Sequence, residues 1–241
     1  MKGKQSSALV LALDSAGLAC SAAVGLGEKV LADERVDGMY GQAETLLPLI
    51  DRIMRRAGQF PGALGLVVVT VGPGSFTGIR AGIAAASGIA LATGARLIGF
   101  TSFEAVAVGA RNECAEPRFL LIALESRRED LYVQFLNMRG DLLGEPLAIM
   151  PTGLRAAVDA TIGGMPLLIA GDAAQRAGVA IGERPETAIL ESWASGAVGA
   201  LRAGIRLLEA GAPSGAPRPL YLRPPDVTLP GVPRKPSGAR A

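Results

Sequence analysis

The 241-residue chain contains no histidine. Without an imidazole it cannot supply His ligands to zinc or iron, nor a Ser-His or Cys-His nucleophilic pair. Cysteine is nearly as scarce. Cys20 and Cys114 are the only two, their separation matches no metal or redox motif, and such usage reads as a reduced, cytoplasmic chain. Aromatic residues make up 4%, too few for a base-stacking platform. The 24 basic residues are offset by 22 acidic ones, so the net charge of +2 provides no field for gripping nucleic acid directly. Hydrophobic residues at 49% and charged ones at 19% argue against disorder. The length allows one large domain or two small lobes with a substantial core.

Long uncharged runs are also wanting. Residues 81–95 carry no charge, but they fall short of the ~20 residues a membrane span needs and are interrupted by Gly82, Gly88 and Gly94. Met1-Lys2-Gly3-Lys4 followed by residues 8–20 imitates a lipoprotein signal with Gly17-Leu18-Ala19-Cys20 as its processing site. Asp14 falls inside that apolar segment, and Gly17 stands where a leucine is expected. A buried first strand of a soluble protein is the expectation.

What the chain does have is a glycine loop, Gly72-Pro73-Gly74-Ser75-Phe76-Thr77-Gly78-Ile79-Arg80, between an apolar run and an Ala/Gly-rich stretch. The order reads as strand, tight turn, helix. Glycines allow the turn, Pro73 fixes one φ, and the free N–H groups of the helix suit an anion. Neither the Rossmann nor the P-loop spacing is present. A strand–helix connection that binds nothing satisfies the same pattern.

GPGSFTGIR, preceded by LALDSAGLACSAAV, resembles the TsaB (YeaZ) family of bacterial tRNA threonylcarbamoyladenosine biosynthesis proteins. Leu46-Leu47-Pro48, Ala123-Leu124-Glu125-Ser126-Arg127, Gly171-Asp172 and Pro219-Leu220-Tyr221-Leu222-Arg223 fall in the family's order, so the similarity runs to about Pro225. The resemblance implies a two-lobed actin/sugar-kinase-like (ASKHA) α/β fold of two mixed sheets flanked by helices. It implies a non-catalytic subunit that binds and activates a TsaD-type threonylcarbamoyltransferase, which modifies the adenosine beside the anticodon. A TsaE-type ATPase is the implied third member, with tRNA held mainly through the complex and a homodimer open to the chain alone. It implies no cofactor of the chain's own and leaves room for a nucleotide at the partner junction. Many relatives carry histidine where this chain has Gln42. The rival reading is a stand-alone enzyme, a nucleotide-dependent kinase or an M22-type peptidase. Against it stand the missing histidines and a phosphate hairpin that offers Ala16 and Gly17.

Apolar alternation predicts antiparallel strands at 9–14, 21–26 and 30–36. Leu46, Leu47, Ile50, Ile53 and Met54 form one stripe of a helix over 44–57. Residues 66–71 read as a strand buried on both faces, followed by a helix to Ala92 and a short strand at 97–99. Thr101 and Glu104 have capping-box spacing for the next helix. The order begins again after Pro117, with strands at 118–124, 131–137, 142–150 and 167–170. Thr152 is expected to cap a helix to Ala160, and a long helix is expected over 192–209. This organises the chain as an N-terminal lobe at 1–112, a C-terminal lobe at 113–225 and a Pro/basic tail at 226–241. From Pro213 onward lie 8 of the 16 prolines and five basic residues against Asp226 alone. Residues up to Arg223 are expected to dock on the body, and those past Pro230 to be disordered.

On the family's pattern, Asp14 and Ser15 with Gly72, Gly74, Ser75, Thr77 and Gly78 are the candidates for a vestigial phosphate site. Asp14 could hold Mg²⁺ through water or accept the N–H groups of its own turn. Glu125 and Arg127 mark the second turn, where a solvated ion pair serves equally well. Leu46, Leu47, Ile50, Ile53, Met54, Ile79 and Ile83 are the candidate partner interface, since the family's two equivalent helices pair with those of the partner. The same periodicity is satisfied if both helices only cover their own sheet.

Overall fold

In the computed structural model, residues 8–17, 19–38, 42–113, 118–126, 128–190, 196–209, 211 and 215–223 are described. Cys114, Arg127 and the tail at 226–241 lie outside them, as does the side chain of Gln42.

Three strands, β1 (Leu9–Asp14), β2 (Ala19–Leu26) and β3 (Lys29–Asp37), form the expected antiparallel meander. Helix α1 (Gln42–Arg56) follows, then a 3-10 turn at Pro61–Ala63, β4 (Leu64–Thr70), α2 (Phe76–Thr93), β5 (Arg96–Phe100) and α3 (Ser102–Glu113). The first sheet has the order β3-β2-β1-β4-β5, with β4 and β5 parallel to β1. The arrangement then repeats. β6 (Phe119–Glu125), β7 (Leu131–Leu136), β8 (Leu142–Ile149), α4 (Pro151–Ile162), β9 (Leu167–Ala170), α5 (Ala174–Ile181) and β10 (Thr187–Ile189) build a second sheet, order β10-β9-β6-β7-β8. The last helix is α6 (Gly196–Glu209).

Alternation along each strand sorts side chains to two faces. Leu9, Leu11 and Leu13 of β1 face α1 and α2, whereas Val10 and Ala12 face α6 and α3. On the second sheet, Leu121 and Ala123 face α4 and α5; Leu120, Ile122 and Leu124 face α3. Helix α3 therefore sits between the sheets, with Ala105 in the first-sheet core and Phe103, Val106 and Ala107 in the second.

Local chemistry sets the helix ends. Thr101 Oγ1 accepts from Glu104 N at 3.1 Å and Glu104 Oε2 accepts from Thr101 N at 2.6 Å, the predicted capping box. Ser75 caps α2, and Gly94 closes it in the left-handed region. Pro151, at the first position, starts α4 without a side-chain cap, so Thr152 lies inside the helix and does not cap it. α5 and β10 were not foreseen. The lobe boundary at 112 is crossed again late in the chain, because α6 packs on the first sheet through Ala197, Ala200, Leu201 and Ile205. Residues 215–221 return to the first lobe as well.

The predicted interface stripe needs correction. Leu46, Ile50, Ile53, Met54 and Ile79 are buried in the first core, and Ile83 packs half-buried against it. An amphipathic helix lying on a sheet turns its large apolar side inward. Of the seven candidates, Leu47 alone is open, at 58% exposure. Among the described residues, α2 is the one helix long and apolar enough to cross a membrane; Ile79, Gly82, Ala86 and Ala90 on its inner side are buried.

Candidate functional site

β1 and β4 run parallel, which places Asp14 beside Thr70 at their C-terminal ends. The Asp14 carboxylate accepts from Thr70 Oγ1 at 2.6 Å and from Ala16 N at 3.0 Å. Burial pushes its pKa above the ordinary value of about 3.8, opposed by these two hydrogen bonds and by the Arg35 charge. Burial, aided by the Asp14 charge, also pushes the Cys20 thiol up to about 11, so it is an inert core group.

The glycine loop is locked from three directions. Ser102 N donates to Gly72 O at 2.8 Å, and Ser102 Oγ donates to Pro73 O at 3.1 Å. Buried Ser15 donates from Oγ to Gly78 O at 2.8 Å. Ser75 N donates to Ala16 O at 2.7 Å, and Gly78 N to Ser75 Oγ at 3.2 Å. The Gly72–Pro73 peptide is cis. A Cβ built on Gly74 would lie 2.1 Å from Ala16 O, so the loop and the β1–β2 turn touch backbone to backbone. No side chain fits at position 74. The Ser75 and Gly78 N–H groups, read from sequence as anion donors, are already bonded within the protein.

The second sheet holds acidic groups at the corresponding strand ends. Asp172 follows β9 and accepts Glu125 N at 2.9 Å. Its carboxyl is also held above the ordinary value, chiefly by burial and further by the Glu125 and Asp14 charges, against the Glu125 hydrogen bond. Glu125 is paired with Arg176 of α5. Sequence reasoning noted Asp172 only as part of a motif and overlooked Thr70 and Arg176. Thr70 carries a signal, the one hydroxyl ending a run of valines. Arg176 carries none, since nothing local links it to Glu125. Among the described residues no group of three His, Cys, Asp or Glu side chains could hold a metal ion.

Two mixed sheets of identical strand order, flanked by helices, define the two-lobed ASKHA-like α/β class. Solved structures agree. YeaZ from Pseudomonas aeruginosa superimposes with a TM-score of 0.71 at 22% identity, covering 89% of this chain and 100% of that one. The ROK hexokinase from Thermus thermophilus gives 0.51 at 17% identity, covering 84% and 99%. In sequence, residues 41–152 match the family model described as TsaD, tRNA N6-adenosine threonylcarbamoyltransferase. The tRNA threonylcarbamoyladenosine biosynthesis protein TsaB of Escherichia coli (strain K12) is 31% identical over 123 residues, 51% of this chain and 52% of that protein. The match thus spans about half the length of the curated relative. Together these similarities support assignment of the chain to the TsaB/YeaZ family.

Proposed function

We propose that this protein is a non-catalytic subunit in the formation of threonylcarbamoyladenosine on tRNA, and that it binds and activates a TsaD-type transferase. The outer face of α2 carries the reading. Thr77, Ala84, Gly88 and Leu91 are exposed along it, Leu91 at 87%, and Arg80 is the helix's only charge. With exposed Leu47 on neighbouring α1, this face lets another helix approach closely. It replaces the buried stripe as the partner surface. The name of the Escherichia coli relative supports the pathway. A catalytic role is disfavoured by the want of histidine and by the engagement of Asp14, Asp172 and Glu125 with Thr70, the Glu125 N–H and Arg176.

In this reading the protein works in the cytoplasm, tRNA is gripped mainly through the partner, and a TsaE-type ATPase joins the assembly. Any nucleotide would sit at the partner junction rather than under the glycine loop. The test is co-purification and sizing with the TsaD-type protein of the same cell. Wild type should form a heterodimer and stimulate threonylcarbamoyl transfer. Leu91→Glu should leave folding intact and reduce both by tenfold or more. A folded Leu91→Glu protein that still binds would move the surface elsewhere. A wild-type protein that forms only homodimers would remove the proposed partner.

A further inference from the structure

Residues 215–223 run across both lobes, anchored at each. On the first lobe, Gly215 N donates to Leu97 O at 3.2 Å and Leu220 N to Val71 O at 2.8 Å, so the segment lies along the exposed edge beside β5. Leu220 O packs so closely on Gly72 that a Cβ there would lie 2.6 Å away. The Tyr221 ring sits 4.9 Å from that of Phe76, and the Arg80 guanidinium stacks 3.7 Å over Phe76 while its Nε donates to Tyr221 Oη at 3.1 Å. The next two residues belong to the other lobe. Leu222 packs on the cluster containing Phe103, Leu124 and Tyr132. Arg223 pairs at 2.8 Å with Asp130, whose side chain is 2% exposed and also takes the Ser126 hydroxyl.

We propose that this segment is a strap that bolts the glycine loop to the 126–130 turn and thereby fixes how the two lobes sit against each other. The strap does not depend on the partner assigned above. Val71 and Gly72 of the first lobe and the turn at Asp130 of the second are held by residues only three apart. A peptide of that length spans roughly 10 Å extended, so neither anchor can shift far without pulling on the other. Asp130 is nearly fully buried, and Arg223 is the counter-charge the strap brings to it; losing the strap strands a carboxylate, which favours keeping both anchors closed together.

The strap is tested in the full chain by amide hydrogen exchange. Arg223→Ala, on the second-lobe anchor, should speed exchange at Leu220 N–H, on the first-lobe anchor, by tenfold or more. Reciprocally, Tyr221→Ala should speed exchange across residues 126–130. Asp130→Asn combined with Arg223→Gln removes the ion pair without leaving a buried charge, so this variant stays folded even where Arg223→Ala does not. It should give the same loss of Leu220 protection and a larger radius of gyration in solution scattering. Leu220 protection within twofold of wild type in the folded double variant would overturn the proposal. So would thermal-shift losses for Tyr221→Ala and Arg223→Ala that simply add, because two independent surface contacts behave that way.

Discussion

Gly74 lies against Ala16 so closely that a Cβ on the glycine would fall 2.1 Å from the alanine carbonyl oxygen. The two residues come from the β1–β2 turn and the β4–α2 loop, and the Ser75 N–H seals their contact on Ala16 O at 2.7 Å. The two backbones thus hold each other directly, with no side chain between them.

Gly74→Ala should therefore destabilise the fold. The methyl group meets backbone rather than a side chain that can move aside, and overpacking of this kind costs about 1–3 kcal/mol. For a chain of this size the melting temperature should fall by about 2–10 °C. Thermal denaturation followed by circular dichroism checks it; an unchanged melting temperature would mean that the two segments separate readily in solution.

The buried carboxylates set a pH dependence with a definite sign. Asp14 is held above its ordinary value of about 3.8 in the folded protein. Between that value and the folded one, the native state keeps a proton that the unfolded chain has lost, so its contribution to stability falls as pH rises. In Asp14→Asn the amide oxygen still accepts from Thr70 and Ala16, and no charge is buried. The variant's stability relative to wild type should increase from about pH 4 upward and level off once Asp14 ionises in the native wild type. A difference that shrinks with rising pH would show Asp14 to be a favourably held carboxylate.

Ile50 and Leu91 separate core from surface. Ile50→Glu places a charge in the core between α1 and the first sheet, a class of change that costs more than about 4 kcal/mol. That variant should be unfolded or molten, whereas Leu91→Glu should melt within about 2 °C of wild type. Near-ultraviolet circular dichroism with a thermal melt distinguishes them. A folded Ile50→Glu protein would mean that α1 lifts off the sheet.

The contrast between Ile50 and Leu91 marks where the amino-acid sequence stops being readable. Helical periodicity shows that Leu46, Ile50, Ile53 and Met54 share a side, and it is silent on what covers that side. The strand runs, the Thr101–Glu104 capping box and the glycine turn were legible because they depend on neighbours in the chain. α5 and β10 are short, and their apolar residues have no period long enough to read. Asp14 reaches Thr70 through the pairing of β1 with β4, a relationship between residues far apart in sequence. The strap left only a cluster of prolines and a Leu-Tyr-Leu-Arg string as its trace.

The return of α6 to the first sheet has a consequence for how the protein is made. Val10, Ala12, Ala23, Leu66 and Val68 emerge early from the ribosome, but Ala200, Leu201 and Ile205, which cover them, are synthesised near the end. Until α6 follows, that side of the first sheet has only α3 to cover it, a state prone to sticking to other chains. The first lobe therefore completes its core only after the strands of the second have been made.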